Sequence, residues 1–166
     1  MKKYLLPGLI VTILLQLLVP SYKIYVKYDI LRTGDVYYFR VNPVDPYDAF
    51  RGRYVYLYAP LDVGRYGKYG LITVDADGFA RVTELSDEKP AAGPYVKSER
   101  DGWFAMPISV YYMDEHLAPR AETYVRQRNV EEETYVSVRI KEGELVVSGL
   151  FVNGVPIEEI VKDGFS

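Results

Sequence analysis

The N-terminal residues form an uncharged, strongly apolar run. Residues 4–20 read YLLPGLIVTILLQLLVP, in which only Thr12 and Gln16 are polar. As a helix this run is about 25 Å long, and extension to Ile24 brings it to about 30 Å, the thickness of the hydrocarbon core of a bilayer. The pattern predicts a transmembrane anchor over residues 1–24.

Two alternatives to an uncleaved anchor are a cleaved signal peptide and a buried core helix. Lys2 and Lys3 precede the apolar run as they do in signal peptides, but the following LVPSYKIYV has no pair of small residues for cleavage. The same lysines favour an N-terminus inside the cytoplasm, although Lys23 and Lys27 reduce the asymmetry. We therefore expect residues 25–166 to form an extracytoplasmic domain on a single-pass protein of the cell membrane.

After the apolar run the hydrophobic pattern changes to a period of two, which is typical of β-strands. Tyr22, Ile24, Val26, Tyr28 and Ile30 alternate with mainly charged residues and predict a strand. The stretches DVYYFRV and RYVYLYA predict two more.

Turn-forming residues separate several of the remaining strand patterns. Asp75-Ala76-Asp77-Gly78 and Lys141-Glu142-Gly143-Glu144 each lie between two such patterns and predict hairpins. Residues 88–102 carry two prolines, two glycines and several charges, which predicts an exposed loop. A short closing helix is expected at Pro156–Val161.

One internal segment has helical periodicity. Leu117, Ala121, Tyr124, Val125 and Arg128 recur at helical spacing, which predicts a helix beginning near Pro119. The predicted fold class is mainly β within the α+β class. We expect an N-terminal transmembrane helix followed by a small antiparallel β-barrel or sandwich with one packed helix.

Charge and composition exclude several function classes. The net charge is −3, and without Lys2 and Lys3 the remaining 18 basic side chains face 23 acidic ones, a balance of −5. A surface of that sign repels phosphate backbones, so no nucleic-acid partner is expected. The chain has no cysteine and one histidine, which leaves no basis for a thiolate or multi-histidine metal site. No metal, cofactor or catalytic residue is predicted.

The segment VDPYDAFRGRYVYLY resembles the signature of the GDYxxLxY protein family. Gly52, Tyr54 and Leu57 match that signature, whereas Arg53 stands in place of its Asp and Ala59 in place of its last Tyr. The resemblance continues in YYMDEHLAPRAE and in SVRIKEGELVVSGLFVNGVPIEE. It implies an anchored, extracytoplasmic or membrane-side protein of a kind often associated with a multi-pass membrane protein, and it supplies no reaction.

The same segment holds the candidate binding residues, which are Asp45, Asp48, Arg51, Arg53, Tyr54, Tyr56 and Tyr58. The aspartates and arginines are suited either to a structural turn or to binding a cation, a phosphate or a polar head group. The tyrosines are suited either to packing on a neighbouring element or to stacking on a ligand or partner.

Three other groups of residues are weaker candidates. Asp75 and Asp77 resemble the start of a calcium loop, but the twelfth position is Ser86 instead of Glu, so a hairpin turn is expected. Ser21 lies near Lys23 just beyond the apolar run, without evidence of a desolvated lysine base. His116 is interpreted as a surface residue.

The expected function is that of a membrane-anchored interaction or accessory protein of the bacterial envelope. Its expected partners are membrane lipid, through the N-terminal helix, and a multi-pass membrane protein. The alternative is an envelope ligand-binding module for a glycan, a head group or a cation.

Overall fold

A computed structural model describes most of the chain. The described residues are 5–43, 54–61, 63–64, 66–100, 102–108, 110–114, 116–127 and 132–162. Over these residues the fold belongs to the α+β class, with antiparallel sheets and a long N-terminal helix. This confirms the predicted α+β class and the antiparallel pairing, but the described strands form three separate sheets and not the closed barrel that was one of the two expected arrangements.

The first helix, α1, runs from Leu5 to Thr33 and has 29 residues, a length of roughly 44 Å. It contains Pro20 and crosses the expected domain boundary at residue 24. No helix among the described residues combines the length and the apolar character that a membrane crossing requires.

The strand predicted over residues 22–30 is wrong, because α1 continues through them. Val26, Asp29 and Ile30 are the side chains there with reduced exposure, and their spacing is helical. Tyr22 and Tyr28, which the alternating pattern placed on the same face as Ile30, are exposed, whereas Ile30 is buried. The alternation misled because aromatic and aliphatic side chains lie on several faces of this helix.

The strands of the described residues form three antiparallel sheets, with orders β1-β8-β9-β10, β2-β3-β7 and β5-β4-β6. Their bounds are β1 Asp35–Arg40, β2 Asn42–Pro43, β3 Tyr54–Tyr58, β4 Tyr69–Val74, β5 Ala80–Ser86, β6 Tyr95–Lys97, β7 Val110–Tyr112, β8 Thr134–Lys141, β9 Glu144–Val152 and β10 Val155–Pro156. The strands predicted from DVYYFRV and RYVYLYA are confirmed as β1 and β3.

Both predicted hairpins are confirmed. The Asp75–Gly78 turn joins β4 to β5, and the Lys141–Glu144 turn joins β8 to β9. The predicted exposed loop at 88–102 is wrong in part, because it contains β6, whose Val96 is fully buried. Three residues between a proline and charged neighbours are too short a strand to give a recognisable alternation.

The two later helices pack on one side of the core. Helix α2, Ala118–Gln127, corresponds to the helix predicted near Pro119, and α3, Ile157–Lys162, to the predicted closing helix. Ala121 of α2 and Ile157 of α3 are fully buried and join the apolar cluster that also contains residues of all three sheets. Because protein interiors are close-packed, this cluster holds the sheets and helices in fixed positions relative to one another.

The glycine of the β8–β9 turn is required for two separate reasons. Gly143 has a φ of +81°, and a Cβ atom there would lie 2.4 Å from Cε2 of Tyr95. Gly143→Ala is therefore expected to lower the free energy of unfolding by more than the cost of the backbone strain alone, which is about 1–2 kcal/mol. Urea unfolding measures this change.

Gly78, in the β4–β5 turn, provides the matched control. Its φ is +87°, but a Cβ atom there would meet nothing within 4 Å. Gly78→Ala should therefore cost only the backbone strain, and less than Gly143→Ala. Equal costs for the two variants would show that the contact with Tyr95 is unimportant.

Candidate functional site

The first candidate surface is the junction between α1 and the β8–β9 hairpin, defined by Lys27, Asp29, Ile30, Lys141 and Glu144. Nζ of Lys27 lies 3.3 Å from Oε2 of Glu144, and Nζ of Lys141 lies 2.6 Å from Oδ2 of Asp29. Ile30, the residue after Asp29, is only 3% exposed. The junction therefore joins the last turns of α1 to the sheet through two partly exposed ion pairs and one buried apolar side chain.

Further hydrogen bonds complete this junction. Lys141 also donates to Oγ1 of Thr33 at 2.9 Å, and the hydrogen bond to Asp29 raises the pKa of Lys141 above its usual value. Arg139 donates to the carbonyl oxygen of Gly34 at 3.0 Å, where α1 ends and β1 is about to begin. The position of the helix relative to the domain is thus set by charged and polar contacts on both sides of a buried isoleucine.

The remainder of α1 has no comparable cover. Eight apolar side chains of this part are 46–62% exposed and lie on all sides of the helix: Leu9, Val11, Ile13, Leu14, Leu15, Leu17, Leu18 and Val19. Tyr22, Ile24 and Tyr25 continue this exposed apolar surface toward the junction. The helix therefore has an uncovered apolar part and a docked C-terminal part.

The second candidate surface is a groove formed by two adjoining cavities, which we call the Ala59 groove. One cavity has a volume of about 130 Å³ and the other about 260 Å³, and both are lined by Ala59, Leu61 and Met106. The larger cavity continues along Trp103 and Phe104. Both cavities open to solvent, so small molecules can reach them.

The smaller cavity ends at an ionic cluster of Arg40, Asp75 and Arg81. Oδ2 of Asp75 accepts hydrogen bonds from Arg40 at 3.1 Å and from Arg81 at 2.7 Å. The guanidinium of Arg40 also lies 3.9 Å from the centre of the Phe79 ring, in a cation–π arrangement. This cluster joins β1 to the β4–β5 hairpin, and local sequence patterns do not reveal it.

Asp75 is held in its ionised form by this cluster. The hydrogen bond from Arg81, followed by the backbone N–H of Phe79, lowers the pKa of Asp75 from 3.8 to about 2. A carboxyl group whose pKa is lower in the folded protein stabilises the fold above its unfolded pKa, and that stabilisation is lost as the pH falls through the folded pKa. The relevant window is therefore between about pH 4 and pH 2.

We expect Asp75→Asn to destabilise the fold at neutral pH, and the difference from the unaltered protein to shrink as the pH falls from 4 to 2. The asparagine retains an oxygen for the backbone N–H groups of Asp77 and Phe79 but loses the charge that pairs with the two arginines. Urea midpoints measured across this pH range test the expectation. Asp87→Asn, on an exposed bend, is the control; a similar shrinkage there would contradict the assignment to Asp75.

Only some of the candidate residues of the signature segment lie in the part of the chain that the structure describes. Asp45, Asp48, Arg51 and Arg53 lie outside the described residues. Tyr54, Tyr56 and Tyr58 lie on β3, of which the structure describes the backbone at these positions. The predictions for all seven remain predictions.

The structure describes the contacts of three weaker candidates, Asp75, Asp77 and His116. Asp75 and Asp77 form the hairpin turn that was expected instead of a calcium loop, since Oδ1 of Asp75 accepts from the backbone N–H of Asp77 at 3.0 Å. His116 is exposed, and its backbone N–H bonds to Oδ1 of Asp114 at 2.8 Å. In the described part of the chain, no three acidic or histidine side chains converge as a metal site would require.

A long helix docked on an antiparallel α+β domain defines the structural class of this protein. The family model described as GDYXXLXY protein matches residues 16–150, and the chain belongs to that family. The match confirms the resemblance that the signature segment carries. Comparisons with curated proteins and with solved structures gave no match.

Proposed function

We propose that this chain is a membrane-anchored accessory protein of the bacterial envelope that associates with a multi-pass membrane protein. The N-terminal part of α1 lies in the membrane, and the α+β domain lies outside the cytoplasm. The observation that carries the proposal is the contrast within α1 between an uncovered apolar part and a docked C-terminal part.

The uncovered part supports membrane anchoring because its side chains need apolar surroundings. A helix that is apolar on all sides is stable where lipid or other helices cover it. Between Lys3 and Lys23 the chain carries no charged residue. Lys2, Lys3 and the amino terminus favour an orientation with the N-terminus inside.

The aromatic residues near the junction fit a position at the membrane surface. Tyr22, Tyr25 and Tyr28 are each at least 60% exposed and follow directly after the apolar run. Tyrosine is enriched where one side of its ring is in hydrocarbon and its hydroxyl is in water. Lys27 then begins the contacts with the domain, roughly 10 Å along the helix from Pro20.

The contacts at the junction support the role of an accessory protein, because they orient the domain relative to α1. The ion pairs Lys27–Glu144 and Asp29–Lys141 lie on the same stretch of helix as buried Ile30. A partner that binds the apolar part of α1 would therefore also meet the domain in a fixed position.

The test is gentle affinity purification of the full-length chain from native membranes, with mass spectrometry of the proteins that co-purify. We expect a multi-pass membrane protein at a constant ratio to this chain. A matched variant carries an unrelated apolar helix of equal length in place of residues 5–22 and keeps the junction intact. Loss of the partner from this variant assigns the contact to α1, and its retention assigns the contact to the domain. Recovery of the unaltered chain alone would contradict the proposed association.

A further inference from the structure

The Ala59 groove lies at a position where the chain departs from its family signature. The signature ends in tyrosine, and this chain has Ala59 there, at the end of β3. Ala59 is buried and lines both cavities of the groove. The chain therefore has open space beside a position where the signature has a phenol ring.

The size of the groove suits an aromatic ring. An apolar protein cavity of about 150 Å³ can hold benzene. The two cavities have volumes of about 130 and 260 Å³, one slightly below and one above that volume. Leu61 and Met106 supply apolar walls to both. The thioether of Met106 also makes favourable contacts with aromatic rings.

The charge at the end of the groove selects among aromatic ligands. Arg40 and Arg81 line the smaller cavity together with Asp75, but Arg40 also pairs with Asp77 at 3.3 Å and with Glu133 at 3.1 Å, so Arg81 is the arginine considered for a ligand. Among the described residues, Arg81 donates one hydrogen bond, from Nη2 to Oδ2 of Asp75, and its side chain is 49% exposed. A guanidinium with further N–H groups available is well suited to a carboxylate.

We propose that the Ala59 groove binds a small aromatic carboxylate, with the ring against Ala59 and Met106 and the carboxylate on Arg81. The site lies on the domain, so the proposal does not depend on membrane anchoring. It adds a ligand-binding role that is separate from the candidate residues of the signature segment.

The probe is 3-(4-hydroxyphenyl)propionate, which has the side chain of tyrosine attached to a carboxylate. Its binding to the full-length chain in lipid nanodiscs is measured by isothermal titration calorimetry, with Trp103 fluorescence as a second readout. We expect saturable binding with a Kd below about 1 mM, and binding at least about tenfold weaker for the uncharged amide of the same compound. The absence of binding up to about 10 mM probe would overturn the proposal.

Three variants locate the site. Ala59→Tyr places the signature side chain in the groove and should weaken binding at least about tenfold, while Arg81→Gln should remove the preference for the carboxylate over the amide. Lys68→Gln, which removes an exposed charge outside the groove, should change neither property. Unfolding midpoints establish that each variant is folded.

The variants can also contradict the proposal. Unchanged binding by folded Ala59→Tyr would show that the probe binds elsewhere. If Ala59→Tyr does not fold, Ala59→Leu replaces it, and Arg81→Gln remains an independent test. Retention of the full carboxylate preference by folded Arg81→Gln would overturn the assigned orientation.

Discussion

Replacing Phe104 with alanine is expected to lower the free energy of unfolding by about 3–5 kcal/mol. Phe104 is 1% exposed and belongs to the central apolar cluster, so its removal leaves a cavity that its neighbours cannot fully close. It also forms part of the wall of the Ala59 groove. Urea unfolding followed by circular dichroism measures the change.

Gly70 provides a specific check on this packing. A Cβ atom at Gly70 would lie 2.7 Å from Cζ of Phe104 and 2.8 Å from Cγ1 of Val82, so Gly70→Ala alone should be destabilising. Once Phe104 is alanine, part of that conflict is removed. The double variant should therefore cost less than the sum of the two single variants, by about 0.5–3 kcal/mol. Strict additivity would contradict the described contact.

The second large effect is expected at Gly34, where α1 meets β1. A Cβ atom there would lie 2.6 Å from the carbonyl oxygen of Ile30 and 3.1 Å from that of Ile140. Because both obstacles are backbone atoms, one in the last turn of α1 and one in β8, Gly34→Ala has to distort the backbone where the helix meets the sheet. We expect a loss of about 2–3 kcal/mol, measured by urea unfolding with Trp103 fluorescence.

The same substitution should loosen the orientation of α1. Spin labels at Lys23→Cys and Thr83→Cys report the distance between the helix and the domain, since the chain has no other cysteine. Gly34→Ala should broaden the distance distribution. The control is Gly64→Ala, because a Cβ atom at Gly64 meets nothing within 4 Å. A narrow, unchanged distribution in Gly34→Ala would mean that the junction tolerates the added methyl group.

Features that depend on a few neighbouring residues were predictable from the sequence. The hairpins at Asp75–Gly78 and Lys141–Glu144 follow from turn chemistry between strand patterns. The helix near Pro119 follows from local helical periodicity, and the closing helix follows from its position after a turn. These elements carry their information within about ten residues of sequence.

Features that depend on tertiary contacts were missed. The residues 22–30 alternate like a strand, but the helix before them continues and uses Asp29 and Ile30 at helical spacing to meet the sheet. Arg40 and Asp75 are 35 residues apart, so their ion pair has no local pattern. The departure at Ala59 was visible in the sequence, whereas the groove beside it follows from Leu61 and Met106 coming together.

We propose that the membrane holds the N-terminal part of α1 and that the domain lies outside the cytoplasm. The most direct measurement uses single-cysteine variants, Lys2→Cys and Thr83→Cys, in native cells treated with a membrane-impermeant maleimide, followed by an alkaline wash of the isolated membranes. We expect the chain to stay in the washed membranes, with position 83 labelled in intact cells and position 2 labelled only after lysis. Release of the chain by the wash, or labelling of position 2 in intact cells, would contradict this proposal.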